Sequence, residues 1–408
     1  MKAFSFLWEP WRLGECGVGS AMRVLISTTS GVGHIFPVLP LAIELQRQGH
    51  SVIWATSQES CSIVEGKGIA ASPAGLTSME RAQRFSANNP DALVVPPRQR
   101  RALGFSGLMA ATAGPVMMDA LVPLFDQFRP DLVVHETAEL AAPPIARSKN
   151  VPCVTVAFSG ELPQSVLAAG VVAAAPLWSR LGLEVPPDLG MYDGAYLHPF
   201  APALGQRPLG ANIHDMKPFS IDAHSYDCPD WLESLGTERP LVYATYGSEA
   251  GARAPWEAII GGLAIMDVDA VVTVGRGVNR ESLLAMVADL SPGRIMIEHY
   301  IPQAILMERS DVVLSHGGAG SMLAAAVAGL PQIVIPSFAD QFDNTDAFVG
   351  AGVALAIEDG ELSSQKIADQ LHHILEDTFF RESAGVLSRA FSEMSSPEVI
   401  AARLVELV

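Results

Sequence analysis

The stretch "DVVLSHGGAGSMLAAAVAGLPQIVIPS", residues 311–337, reads as a strand, a glycine turn, a helix and a second strand. The apolar run "DVVLS" ends at His316. Gly317, Gly318 and Gly320 let the backbone turn tightly and approach a ligand closely. Ser321 stands where the helix "MLAAAVAG" begins. The first N–H groups of a helix have no partner within it, and the helix dipole adds about half a positive charge there. A diphosphate fits such a place without any lysine. The flanking strands are continuous apolar runs, as in a parallel sheet covered on both faces.

The same pattern extends outward on both sides. In the C-terminal half, "PLVYATYG" (240–247), "AVVTVG" (270–275), "RIMIEHY" (294–300) and "VALAIE" (353–358) are further strands, and helical segments fill 363–408. In the N-terminal half, "MRVLIS" (22–27), "HSVIWAT" (50–56), "DLVVHE" (131–136) and "PCVTVAF" (152–158) are strands. They alternate with the helical segments "FPVLPLAIELQRQG" (36–49), "SCSIVEGKG" (60–68) and "ELAAPPIARSKN" (139–150). A chain of 408 residues is too long for one core. The stretch 205–239 lacks periodicity and carries Pro208, Pro218 and Pro229. The expected division is an N-terminal extension at 1–21, a domain at 22–215, a linker at 216–239, a second domain at 240–385, and a helical segment at 386–408 packing back on the first domain. Both domains are α/β with doubly wound parallel sheets, whose ligands bind beyond the carboxyl ends of the strands.

Composition narrows the function classes. A net charge of −18 disfavours nucleic acid and an anionic membrane surface as partners. The four cysteines, Cys16, Cys61, Cys153 and Cys228, are scattered and form no C-x-x-C pair, which fits reduced thiols and gives no zinc signature. No stretch is read as a membrane span, and the head makes a poor signal peptide, so the expected location is cytoplasmic. The pair of acids in "DVD" (267–269) falls at the amino end of a strand, away from any ligand face, and is set aside as a metal site.

Other candidate residues lie just past strand ends. Gly247 and Ser248 could offer donors to phosphates. Tyr300 and Pro302, with Gln303, form a turn suited to a base edge. Asp340 and Gln341 offer a carboxylate and an amide to sugar hydroxyls. In the first half, "SGVGHIFP" (30–37) places His34 at the mouth of a helix, beside Gly33. A hydroxyl is a weak nucleophile, and a base of suitable pKa helps by taking its proton during attack. A helix start also favours neutral imidazole, the form that acts as base. Such a base is commonly oriented by a carboxylate. Glu136, at the end of "DLVVHE", is the first choice and Asp119 the second; His135, on the opposite face of its strand, is read as packing.

The motif "HGGAGS", with "IPQ" before it and "DQ" after it, resembles the donor-binding region of family 1 glycosyltransferases, which have the GT-B fold. The likeness runs over roughly 22–400 and is nearest to bacterial enzymes that glycosylate macrolides, aromatic polyketides and enediynes. It implies two facing Rossmann-like domains with a cleft between them. By that resemblance, Gln303 and its neighbours meet the nucleoside, and His316, Gly318, Gly320, Ser321 and Ser248 meet the diphosphate. Asp340 and Gln341 then face the sugar. Gly31, Gly33, His34 and Pro37 match the motif that carries the catalytic base, and Glu136 matches its carboxylate partner.

The implied activity is metal-independent, inverting sugar transfer from a nucleotide-diphosphate sugar, a TDP-deoxysugar by preference, to a hydroxyl of an apolar small molecule. Alternatives are a UDP-glucose-dependent detoxifying transferase, a nucleotide-sugar 2-epimerase, and a non-catalytic homologue. The helices of 76–128, read either as core or as pocket wall, and the stretch 159–200 with Trp178 and Met191 would shape the acceptor site. The expected assembly is a monomer or homodimer.

Overall fold

The computed structural model describes residues 21–407, except Leu93, 206–211, 220–225 and Pro292. The expected extension therefore lies outside the described residues apart from Ala21, as does part of the linker.

Thirteen named strands form two parallel sheets. The first sheet contains β1 (Arg23–Ser27), β2 (Ser51–Thr56), β3 (Ala70–Pro73), β4 (Leu132–Glu136), β5 (Cys153–Val156), β6 (Tyr196–His198) and β7 (Ile213–Asp215). Their order is β3-β2-β1-β4-β5-β6-β7. The second contains β8 (Leu241–Thr245), β9 (Asp269–Thr273), β10 (Ile295–Glu298), β11 (Val312–Ser315), β12 (Gln332–Val334) and β13 (Ala354–Ala356). Their order is β10-β9-β8-β11-β12-β13. In each sheet the order reverses beside the first strand, between β1 and β4 and between β8 and β11. Doubly wound sheets open a crevice at that reversal.

The apolar runs are continuous because alternate residues feed different cores. Val24, Ile26, Leu132 and Val134 join one cluster, while Leu25 and Val133 join another. In the second sheet, Val242 and Ala244 face one core and Leu241 and Tyr243 the other. This follows from the two-residue period of a strand.

Three local features depart from expectation. The helix read at 36–49 spans only Leu39–Arg47, and a separate one-turn helix, Val32–Ile35, precedes it with Pro37 between the two. Ile213–Asp215, inside the stretch lacking periodicity, is the edge strand of the first sheet. The third is a long apolar helix: Pro97–Phe128 runs for 32 residues and is long and apolar enough to cross a membrane by length and composition. That corrects the reading that no such run exists. Nearly half of its most apolar window is buried inside the protein. Its segment Gly104–Ala113 is wound as a π-helix, and Phe105, Ala110, Met117 and Met118 sit in the core.

The two units touch along several elements. The C-terminal helix Pro397–Leu407 places Ile400, Ala401 and Leu404 in the core around β1 and β4, and Arg47 bonds Glu398 at 2.6 Å. The helix Thr378–Ser392 instead packs its Leu387 and Phe391 with Phe348 of the second unit.

Candidate active site

His34 lies in the turn after β1, and Glu136 is the last residue of β4. The strand reversal brings these distant residues together: His34 Nδ1 is 3.3 Å from Glu136 Oε1. The contact is within ion-pair reach, although Nδ1 makes no hydrogen bond of regular geometry. Gly31, at φ 114°, lets the chain enter this turn. Phe158 meets the imidazole edge-on, with centroids 4.9 Å apart. His34 is third in a one-turn helix, so its setting owes more to Glu136 and Phe158 than to a helix macrodipole.

Glu136 is fully buried and held by backbone and hydroxyl donors. The Thr29 N–H and hydroxyl donate to Oε1 at 3.2 and 2.8 Å, and the Ala138 N–H donates to Oε2 at 2.5 Å. Burial pushes its carboxyl up, but the neighbouring His34 and these donors outweigh it and hold the group below the usual carboxylate range. Glu136 is thus a fixed, ionised neighbour of the ring. With Nδ1 turned to it, Nε2 is the nitrogen left to take a proton. Asp119 is excluded from this role: it lies on the surface of its helix and pairs with Arg180 at 2.7 Å. His135 is buried as expected, with Nε2 2.8 Å from the Thr155 hydroxyl.

Sequence reasoning passed over Glu139, three residues beyond Glu136. It is fully buried and accepts N–H groups from Ala141 and Ala142 at 2.8 and 3.1 Å. Burial pushes its carboxyl up to about 7, and the charge of Glu136 adds to the effect. A raised folded-state pKa favours folding most below the usual 4.5, and the benefit is lost as pH rises through about 7. At about 1.4 kcal/mol per unit, the contribution is about 3 kcal/mol. Urea unfolding at pH 5 and pH 8 should show this loss in the wild type and a smaller one in Glu139→Gln. Equal pH dependence in the two proteins would contradict the assignment.

In the second unit, His316 follows β11 and Gly247 follows β8, again across the reversal. A Cβ on Gly247 would come within 2.8 Å of His316 Cε1, and one on Gly318 within 2.6 Å of Nε2. The imidazole is therefore clasped between two stretches of bare backbone. Gly247 has φ 74° and Gly317 φ 85°, which glycine adopts without strain. Burial pushes His316 down to about 4, against the pull of Asp340, so the ring is neutral at pH 7. Its Nδ1 is buried and makes no hydrogen bond.

The helix Ala319–Ala328 begins at Gly318 with no side-chain cap. Gly320, in its first turn, is exposed, and a Cβ there would meet nothing within 4 Å. Open space thus lies against an uncapped helix start, with the partly exposed Ser321 next to it. Ser248 is the second residue of the one-turn helix Gly247–Ala250, but its side chain lies outside the described residues.

The remaining expected residues divide. Tyr300 is 57% exposed, Pro302 is buried, and Gln303 opens the helix Gln303–Met307 half-buried. Asp340 stands before the helix Gln341–Gly350 with an accessible carboxylate, and Asn344 donates to its Oδ2 at 2.8 Å. Gln341 is buried, and its Oε1 accepts the Ser337 and Phe338 N–H groups at 2.8 and 3.1 Å. Its amide oxygen braces the loop, so Asp340 is the more accessible of the pair. Ala339 holds φ 57°, a left-handed conformation that costs about 1 kcal/mol outside glycine. Trp178 and Met191, read as pocket residues, are core: they are 0% and 1% exposed. Asp267 pairs with Arg239 and Arg294, and Asp269 accepts the Gly236 N–H at 3.0 Å, so "DVD" is structural.

Comparison with known proteins finds similar ones among glycosyltransferases. The model of the Erythromycin biosynthesis protein CIII-like, C-terminal domain matches residues 257–407. An L-demethylnoviosyl transferase of Streptomyces niveus is 29% identical over 368 residues, covering 86% of this chain and 89% of that protein. The glycosyltransferase SnogD of Streptomyces nogalater is 28% identical with a TM-score of 0.72, covering 95% of this chain and 100% of that one. The glycosyltransferase SsfS6 of Streptomyces sp. SF2575, complexed with thymidine diphosphate, shares the fold at a TM-score of 0.73 and 22% identity, covering 95% of this chain and 100% of that one. Residues 257–407 are thus similar to an EryCIII-like C-terminal domain, and the relatives and structural neighbours of the chain are bacterial natural-product glycosyltransferases of GT-B fold.

Proposed function

We propose that the chain transfers a sugar, with inversion, from a nucleotide-diphosphate donor to a hydroxyl of an apolar natural-product aglycone. The observation that carries this reading is the pairing of two clusters, each at the strand reversal of its own sheet: His34 with Glu136, and His316 clasped by Gly247 and Gly318. His34 Nε2 takes the acceptor hydroxyl proton while the oxygen attacks the anomeric carbon opposite the nucleotide. The bond from that carbon to the diphosphate breaks, and its electron pair leaves on the diphosphate oxygen. Free N–H groups at the start of Ala319–Ala328, with Ser321 and neutral His316, stabilise the charge as it develops. Glu136 keeps the imidazolium stable until the proton is lost to water.

These donors can meet the diphosphate charge without a metal, so none is assigned to the reaction. The thymidine diphosphate complex of SsfS6, and the similarity to an L-demethylnoviosyl transferase, support a TDP-sugar donor, which we take to be a TDP-deoxysugar. Product analysis tests the reading: the glycoside should carry the anomeric configuration opposite to the donor's, and EDTA should leave the rate unchanged. Retained configuration, or a strict need for a divalent cation, would contradict it.

A further inference from the structure

Three arginines crowd "PPRQRRAL" (96–103) in a chain of net charge −18. Arg100 acts locally, with Nε donating to the Val95 carbonyl at 2.5 Å. The other two reach across to the second unit. Arg98 holds Asp346 through two nitrogens at 2.8 and 3.3 Å, meets Glu358 at 2.8 Å, and lies over the Phe342 ring at 4.9 Å. Those groups are about half exposed, so each pair is screened and worth little alone. Arg101 differs. Its side chain is 9% exposed, and it pairs with Asp343. A buried guanidinium depends on its partner, because removing one member strands the other charge.

Asp343 stands three residues after Asp340, on the same side of the helix start. The charge of Asp340 also acts on Arg101: burial pushes the guanidinium down, and Asp340 pulls it back up. Farther along the same helix, Phe348 is buried against Phe200 of the first unit, with centroids 5.7 Å apart. The helix that Asp340 precedes is thus gripped at both ends by the first unit. The loop before it, braced by Gln341, carries strain at Ala339.

We infer that Arg101 is a positioning residue for the donor sugar: through Asp343 it fixes the start of helix Gln341–Gly350, and with it the carboxylate of Asp340. The inference rests on the nucleotide-sugar reading above. Arg101 lies near the start of the long helix Pro97–Phe128, whose side chains enter the core of the first unit, so the contact also ties sugar recognition to the state of that unit.

The test is calorimetric titration of wild type, Arg101→Gln, Arg101→Lys, Asp343→Asn and the double variant with thymidine diphosphate and with TDP-glucose. Arg101→Gln should bind thymidine diphosphate within about twofold of wild type and TDP-glucose about tenfold more weakly. Asp343→Asn should do the same, and the double variant should lose little more than either alone. Arg101→Lys, which keeps the charge, should recover part of the loss. If Arg101→Gln does not fold, Asp343→Asn and Arg101→Lys carry the same comparison. Equal weakening of both ligands, no weakening of either, or additive losses in the double variant would overturn the inference. A wild type that binds neither ligand would overturn the nucleotide-sugar reading itself, and this inference with it.

Discussion

Replacing His34 by alanine is expected to lower turnover by about 10²–10⁴-fold, the usual worth of a positioned general base. Affinity for nucleoside diphosphate should stay within about twofold. The two effects separate because the residues sit in different units. His34 follows β1 of the first sheet, whereas the proposed diphosphate cradle follows β8 and β11 of the second. The imidazole is partly exposed and makes no regular hydrogen bond, so its loss leaves no strong bond broken. It does remove the neighbour that most offsets the burial of Glu136, yet three donors from Thr29 and Ala138 still hold that carboxylate. The fold should therefore tolerate the change better than it would tolerate loss of Glu136. Turnover and nucleotide affinity falling together would remove His34 from the role of base. Steady-state kinetics beside direct nucleotide titration make the distinction.

The second large effect is expected at the glycine turn. Gly318 has an ordinary φ of −64°, so alanine meets no backbone strain there. The obstacle is steric: the new methyl would stand 2.6 Å from His316 Nε2 and 2.7 Å from Cε1. The ring has Gly247 on its other side and must leave the cradle. Gly318→Ala should weaken thymidine diphosphate at least tenfold, or about 1.4 kcal/mol. Gly320→Ala is the informative companion. Beyond its chain neighbours and its own helix backbone, no described atom lies within 4 Å of its new methyl, and alanine is the better helix former by about 1 kcal/mol. The free protein should be as stable as wild type or more so, while nucleotide binding weakens because the open space is where the ligand would lie. Undiminished binding by Gly320→Ala would move the diphosphate away from this helix start.

Much of this was legible in the sequence because its signals are local. Continuous apolar runs marked ten of the strands, and glycine turns after "DVVLS" and "MRVLIS" marked the ligand ends of two of them. The strands β3, β6 and β7 escaped notice, being only three or four residues long and without a clear pattern. Pairing His34 with Glu136 required a carboxylate at a strand end, which "DLVVHE" supplies. Other features depend on contacts between distant parts of the chain. Arg101 and Asp343 are 242 residues apart, and neither has a motif that announces the other. Gln341 sits in a motif whose chemistry suits sugar hydroxyls, but its burial is decided by the loop folding over it. Trp178 and Met191 have the size and polarity of pocket residues and of core residues alike, and only packing separates those outcomes.

The central claim is that the second unit binds a nucleotide-sugar diphosphate. The most direct measurement is the thermal unfolding midpoint of the purified protein with thymidine diphosphate and with uridine diphosphate at equal concentrations. A ligand that binds only the folded state raises the midpoint with the logarithm of its saturation. The account predicts a rise with both nucleotides, larger with thymidine diphosphate, and much reduced in Gly318→Ala. A larger rise with uridine diphosphate would contradict the donor preference and favour glucose transfer. No rise with either, at millimolar concentration, would contradict the diphosphate cradle and the proposed function with it.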